Sequence, residues 1–316
     1  MRLQMLRPAL LALMLMAAPV LAQKADPQQD QQCRALWDFV TSGPAARRLT
    51  GQYVGHDIDG CLFTNLHLAL GGSDPDLLAD ELRLRGDGLG VVMFGTELPS
   101  GGATVSLSMT ISGLRPVMKA NDPRFGSLLS QLAQAPYSRA EIVLDWTPQS
   151  HVLQVSRLFL DLPGDNALTL TAAVAHVDLA SKAGLQMTAT GFALTDLQLE
   201  VTNKGLFDSS LQMALQQALL PEKGAMPGAA HELRKTLLGV IPALPAPSFD
   251  AAAKAALANL VRELPTARGT LQLDFSAPSG FGPARLAVYA LTGMPRTMAD
   301  AAPLFQGTTF DISWTD

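Results

Sequence analysis

The residues best suited to chemistry lie in one short stretch, residues 55–60, which contains His56, Asp57 and Asp59. An imidazole and two carboxylates this close together could bind a metal ion. A calcium loop would continue with oxygen ligands at fixed offsets and end in a glutamate, but an apolar run beginning at Cys61 follows instead. We therefore interpret the stretch as a polar turn, with a metal site as the alternative.

His176 and Asp178 form a second candidate pair. His176 has the parity of the apolar residues around it, which predicts a buried, hydrogen-bonded histidine. The chain has no Gly-x-Ser-x-Gly, His-Glu-x-x-His or phosphate-loop motif that would supply a nucleophile, a metal or a nucleotide site. We accordingly predict no catalytic residue, no metal site and no cofactor, and hence a protein that is not an enzyme.

The N-terminus is typical of a secretory signal peptide. Arg2 and Arg7 precede an apolar run, Pro8 to Leu21, that is shorter than a membrane-spanning helix requires. Ala22 ends a motif of small residues, so we predict cleavage after it and export to a periplasm. Since no later segment offers about 18 consecutive apolar residues, we expect no transmembrane segment after cleavage.

The charge and length of the mature chain limit its expected partners and its domain organisation. Residues 1–22 hold two arginines and no acid, so their removal changes the net charge from −5 to −7. This acidic balance argues against nucleic acid and against anionic headgroups as partners. We expect a flexible leader over residues 23–31 and a single domain over residues 32–316, with a candidate subdivision near residues 113–140.

Cys33 and Cys61 are the only cysteines in the chain. Two thiols in an exported protein more often pair than stay free, so we predict a disulfide between them. The bond would attach an N-terminal helix, at about residues 31–40, to the start of the first clear strand. No Cys-x-x-Cys motif suggests a redox role, and the predicted function of the bond is structural.

Alternating apolar and polar residues over about residues 141–202 predict a half-buried antiparallel sheet. The phase of this alternation changes near Ser156 and Arg157, which predicts a β-bulge. We take the apolar parities of the sheet as the candidate ligand face. Its key members are Leu168, Leu170, Met187, Leu197 and Leu199.

Other segments complete an α+β fold. We predict an extended, twisted antiparallel sheet with one apolar face that is partly covered by several interleaved amphipathic helices. Further strands are expected at 61–70, 80–85, 91–97 and 104–112, around 271–275 and around 310–314. Helices are expected at 125–135, 207–220, 229–241 and 251–264.

Three runs carry a resemblance to a known family: "VLQVSRLFLDLPGDNALTLTAAVAHVDL", "TGFALTDLQLEVTNKGLFDSSLQMAL" and "TARGTLQLDFSAP". Over about residues 141–276 the chain resembles the AsmA-like and YdgA-like exported proteins of the Gram-negative envelope. Those families similarly pair alternating strands with a strand-to-helix step, here at Gly205-Leu206. The resemblance implies an envelope location, a long twisted sheet with a hydrophobic groove, and lipid handling. It implies no catalytic residues.

The leading hypothesis is a non-enzymatic envelope protein that binds lipid or another apolar ligand on its sheet face, with an envelope protein as a candidate partner. The first alternative is a structural or protein-interaction module whose helices seal the sheet. The second is a hydrolase whose site is assembled only by the fold, because catalytic triads need not be local in sequence.

Overall fold

The computed structural model describes residues 27–42, 48–57, 60–69, 76–86, 103–117, 138–205, 229–264, 266–293, 295 and 297–316. Within them, ten strands form one antiparallel sheet in which every strand pairs with its neighbours in sequence. The strands are β1 (Leu49–Asp57), β2 (Gly60–Leu68), β3 (Asp76–Arg85), β4 (Val105–Val117), β5 (Ser138–Thr147), β6 (Val152–Leu162), β7 (Asn166–Ala175), β8 (Ala193–Asn203), β9 (Gly269–Phe281) and β10 (Thr309–Thr315).

Helices precede the sheet or lie in the connections between its strands. They are α1 (Pro27–Ser42), α2 (Lys182–Gly191), α3 (Ala229–Val240), α4 (Ala251–Glu263), α5 (Pro283–Thr292) and the short α6 (Met298–Ala301), with 3-10 turns at Ile241–Ala243 and Ala302–Phe305. None of the helices in the described ranges is long and apolar enough to cross a membrane. The predicted α+β class with an antiparallel sheet is confirmed.

The predicted bulge near Ser156 is confirmed by the pairing of β6. Toward β5, Arg157 lies opposite Val143 whereas Val155 lies opposite Leu144, so Ser156 is an extra residue in the ladder. The register toward β7 shifts between Val155 and Leu158. Because side chains alternate between faces, one extra residue keeps Val155 and Leu158 on the same face of the sheet.

The prediction that Met187 and its neighbours in the 141–202 stretch belong to the sheet is wrong, because they lie in α2. Ser181 caps this helix by accepting a hydrogen bond from the Gly184 amide at 2.9 Å. The segment contains two alanines, a leucine, a glutamine and a methionine, which are good helix formers, and the serine cap adds to the preference for a helix.

Two N-terminal elements differ from expectation. Helix α1 begins at Pro27, so residues 27–31 of the expected leader are helical. The interpretation of residues 55–60 as a turn misses that His56 and Asp57 end strand β1. β1 contains two glycines and two register shifts against β2, which hides its apolar alternation in the sequence.

Several predicted segments fall outside the described residues: 1–22, 91–97, 125–135 and 207–220. The predicted helices at 229–241 and 251–264 correspond to α3 and α4. Helix α5 has no counterpart in the sequence-based prediction. It follows Gly282 directly and starts with Pro283, which suits the first turn of a helix because proline has no amide hydrogen to leave unpaired.

Buried apolar clusters lie at the two ends of the sheet. At the first end, α1 packs Cys33 and Leu36 onto β2 and β3, together with Phe63, Leu66 and Ala79. At the other end, α3 and α4 pack onto β8–β10 in two adjoining clusters. Their buried members are Val201, Ile241, Leu260, Val261, Leu264 and Ala267 in one, and Phe249, Ala253 and Ile312 in the other.

Candidate functional site

The predicted disulfide between Cys33 and Cys61 is present, and it joins α1 to β2. The two Cα atoms lie 5.4 Å apart, and the residues expose only 2% and 0% of their surface. A loop closed over 28 residues is expected to contribute about 3.5 kcal/mol by restricting the unfolded chain. The burial of both sulfurs fits a structural role.

A polar network holds the start of α1 against β1. The Tyr53 hydroxyl donates hydrogen bonds to the carboxylate and to the carbonyl oxygen of Asp30, and the Arg34 guanidinium lies 5.4 Å from the centre of the Tyr53 ring. The bond from Tyr53, and then the charge of Arg34, lower the pKa of the Asp30 carboxyl. Burial, followed by that carboxylate, raises the pKa of the Tyr53 hydroxyl.

Of the candidate metal residues, His56 and Asp57 lie at the end of β1, the strand that carries Tyr53 of this network. His56 pairs with Cys61, and Asp57 with Gly60, across the β1–β2 hairpin. Asp59 lies outside the described residues. The Nδ1 atom of His56 is buried and has no hydrogen-bond partner. In the described ranges, no three His, Cys, Asp or Glu side chains converge as metal ligands would.

His176 is exposed, so the prediction of a buried histidine is wrong. It lies one residue beyond β7 with a φ of 61°, in the left-handed region, where the strand parity no longer applies. Asp178 accepts a hydrogen bond from the Ala180 amide at 2.8 Å. Its carboxylate therefore organises the turn that leads into α2.

On the polar side of the sheet, Asp145 links three strands. The hydroxyls of Ser106 on β4 and Ser156 on β6 each donate to its carboxylate at 2.5 Å. These bonds, that of Ser106 first, lower the pKa of the Asp145 carboxyl. The carboxylate thus serves as a hydrogen-bond acceptor at the bulge, and its weakened basicity does not suit a general base at neutral pH.

The other side of β4–β8 carries two cross-strand rows of apolar residues. One row passes from Met109 through Ile142 and Leu158 to Leu170. The second passes from Leu107 through Leu144, Val155 and Ala172 to Leu197. We define the central apolar strip as the half-buried residues of these two rows together with Leu160. It consists of Leu107, Met109, Ile142, Leu144, Val155, Leu158, Leu160, Leu170 and Leu197.

The central apolar strip lies between the helix-covered ends of the sheet. Among the described residues, none of the buried clusters includes a member of the strip. One rim is closed where the Trp146 indole donates to the Val177 carbonyl at 2.8 Å and Val105 packs beside them. Ala140 and Ala172 are buried next to the strip, whereas the larger side chains of the strip are half-buried.

The five residues predicted to form the ligand face divide into three groups. Leu170 and Leu197 belong to the central apolar strip. Leu168 and Leu199 pack against the cluster formed with α3 and α4. Met187 lies on α2, where 74% of its surface is exposed. The alternation in the sequence predicted which face of the sheet the four strand residues lie on. It did not predict which of them contact the helices.

Comparison with known proteins adds no family assignment: no model of a protein family matches the chain, and no curated protein matches it. The resemblance to AsmA-like and YdgA-like proteins therefore stays a prediction drawn from the alternation over residues 141–276.

Proposed function

We propose that this protein is a non-enzymatic periplasmic protein that binds lipid or another apolar ligand on one face of its sheet. The observation that carries the proposal is the central apolar strip, an aliphatic surface between two ends covered by helices. Each member of the strip is half-buried and keeps part of its side chain accessible, and an apolar ligand that covers this surface would remove it from water, which favours binding. Its members are mostly leucine, whose flexible aliphatic side chains suit contact with acyl chains.

The dimensions of the strip suit one extended acyl chain. Neighbouring strands lie about 4.8 Å apart, so a row that crosses the five strands β4–β8 extends roughly 19 Å. Each methylene transferred from water to an apolar surface contributes about 0.8 kcal/mol. A chain that covers one row would therefore gain several kcal/mol, enough to offset the cost of association of at least about 4 kcal/mol.

Two further observations support an exported protein. The buried disulfide requires an oxidising compartment to form and persist. The N-terminal sequence has the basic start, short apolar core and small-residue motif of a signal peptide. A ligand-binding role in the envelope agrees with both features.

The direct test measures the binding of a fluorescent fatty acid to the wild-type protein and to a matched pair of variants. Leu170→Asn places an amide in the strip, whereas Thr169→Asn places the same amide on the opposite face, beside Phe159 and Glu200. We expect Leu170→Asn to weaken binding by roughly tenfold or more, because it removes apolar contact and buries a polar group under the ligand. Thr169→Asn should bind as the wild type does.

Thermal melting must show that both variants are folded, and Met109→Asn, three strands away in the same row, provides a second site if Leu170→Asn unfolds. Failure of the folded wild type to bind the probe would refute the proposal. The structural-module alternative would then take its place, since α3 and α4 already seal Leu168 and Leu199.

A further inference from the structure

Helices α2 and α5 lie side by side at the end of the sheet where β7 ends and β10 begins. α2 leads into β8, α5 follows β9, and because these strands are adjacent the two helices are in contact. A Cβ on Gly282, immediately before α5, would come within 2.1 Å of the Phe192 carbonyl oxygen. The junctions of the two helices with the sheet are therefore packed against each other.

These helices expose large apolar side chains. Met187 on α2, Leu286 on α5 and Phe192 between α2 and β8 have 74%, 49% and 39% of their surfaces exposed. We call these three residues the helical patch. Exposed helix faces of water-soluble proteins normally carry charged residues. Among the described residues, these are three of the five large apolar side chains that are exposed; the other two are Val54 and Val240.

The two helices are also nearly free of charge. Lys182 is the only acidic or basic residue of α2, and Arg285 the only one of α5. By contrast, α1, α3 and α4 each contain three such residues. This low charge is thus a local property of the pair in a chain that carries 51 acidic and basic side chains in all (23 Lys and Arg, 28 Asp and Glu).

Arg285 does not offset the apolar character of the pair, because its guanidinium is used inside the protein. It donates to the carbonyl oxygens of Gly280, Leu304 and Gln306 at 2.8, 2.7 and 2.7 Å. One turn later, Tyr289 is buried and donates to the Asp300 carbonyl at 2.8 Å. These contacts fix the inner side of α5 and leave Leu286 facing outward.

We propose that the helical patch docks on a phospholipid bilayer by inserting its apolar side chains at the boundary between headgroups and acyl chains. The inference rests on the proposed function, because it states where the apolar ligand is taken up or released. The net charge, −7 without residues 1–22, disfavours attraction to anionic headgroups, so attachment is expected to come from apolar insertion. A second copy of the chain is a less favourable partner for the helical patch than a bilayer, because both copies carry a net negative charge and would repel each other.

The patch is connected to the central apolar strip through a short segment of chain. Val177, which closes one rim of the strip against Trp146, lies shortly before α2. A bilayer that contacts α2 therefore lies next to one end of the proposed binding surface. This placement suits transfer of an acyl chain between membrane and strip without passage through water.

The test is flotation of the mature protein, residues 23–316, with vesicles of phosphatidylcholine, whose headgroup has no net charge; without residues 1–22, the apolar run Pro8 to Leu21 cannot itself bind the vesicles. We expect the wild type to float with the vesicles at low and at high salt alike. Met187→Asp combined with Leu286→Asp should reduce the bound fraction by about tenfold or more, because two apolar anchors are replaced by charges. Val54→Asp is the matched control: Val54 is 57% exposed on β1, far from the patch, and the variant should float as the wild type does.

Several outcomes would overturn the inference: a wild type that stays in solution, a Val54→Asp variant that loses as much binding, or a wild-type dimer that the patch substitutions dissociate. Binding of the fatty-acid probe in solution separates this inference from the proposed function. A patch variant that binds the probe normally but no longer floats supports docking. A wild type that floats through its patch but binds no probe would refute the ligand-binding function while docking stands.

Discussion

At the scale of single residues, the best-defined polar contacts stabilise the fold. Asp145 joins three strands at the bulge, where the extra residue Ser156 brings its hydroxyl onto the carboxylate. Asn203, fully buried at the end of β8, donates to the Ala267 carbonyl and accepts from the Gly205 amide. An apolar residue in place of Asp145 or Asn203 could not make these hydrogen bonds and would leave the partner groups unsatisfied.

Asp145→Asn should destabilise the protein at neutral pH by roughly 1 kcal/mol, because hydrogen bonds to a charged acceptor are replaced by weaker ones at a partly exposed site. The pKa of Asp145 is lowered in the fold, so its contribution is fully present above the ordinary value of 3.8 and is lost as the pH falls through the folded value. Urea unfolding at pH 7 and at pH 3 measures both effects. The gap in stability between wild type and variant should narrow at the lower pH, and an unchanged gap would contradict this role.

At the scale of elements, α1 is held in place mainly by a covalent bond and a small cluster. Its sequence has two aspartates, four glutamines and a proline, and its tertiary contacts centre on Cys33, Leu36 and Trp37. Trp37 stacks on Phe63 with ring centres 5.3 Å apart. A 16-residue helix of this composition is marginal alone, so the attachment to β2 decides whether it stays on the sheet.

Replacing Cys33 and Cys61 together with alanine should lower the melting temperature by roughly 7 °C or more. The expected loss is about 3.5 kcal/mol of stability, and a domain of this size shifts by about 2–4 °C for each kcal/mol. Circular dichroism melts of wild type and variant, each with and without reductant, test whether the disulfide accounts for the difference in melting temperature. Reductant should lower the melting temperature of the wild type to nearly that of the variant and leave the melting temperature of the variant unchanged. If the two proteins melt at the same temperature under oxidising conditions, the disulfide does not contribute to stability.

At the scale of the whole molecule, the sheet is a meander in which each strand pairs with its sequence neighbours. Such a sheet leaves two edge strands, which natural proteins protect from pairing with other chains. At β10, Phe249 makes a parallel bridge with Phe310, and the Phe310 amide donates to the Ser248 carbonyl at 2.9 Å. At β1, two register shifts make the edge irregular. The central apolar strip spans β4–β8, so it lies three strands from the edge at β1 and two strands from the edge at β10.

The proposed location in the periplasm predicts that the protein recovered from the envelope fraction begins at Gln23. The basic start, the short apolar run and Ala22 are expected to direct cleavage to that bond. Intact-mass and N-terminal peptide analysis of protein expressed from the full sequence measures it. A mature protein that retains Met1 would rule out the cleavage and, with it, this route to the periplasm.

The sequence alone determined the features that depend on local periodicity. Alternation predicted β5–β8, the bulge at Ser156 and the strands at β9 and β10, and helical spacing predicted α4. The disulfide followed from the presence of two cysteines in a chain expected to be exported. In these cases the signal lies within a few residues, because backbone conformation and the facing of side chains repeat over that distance.

Only the tertiary structure decided which apolar residues are covered. Leu168 and Leu170 have the same parity on β7, yet Leu168 packs against the cluster of α3 and α4 while Leu170 does not. Those helices begin about 60 and about 80 residues later in the chain, so no local pattern reports where they pack. Likewise, β1 and α2 were missed or misassigned because pairing with β2 and the Ser181 cap outweighed weak local preferences. Parity tells which side of a sheet a residue faces, but contacts distant in sequence decide whether that side is a core or a surface.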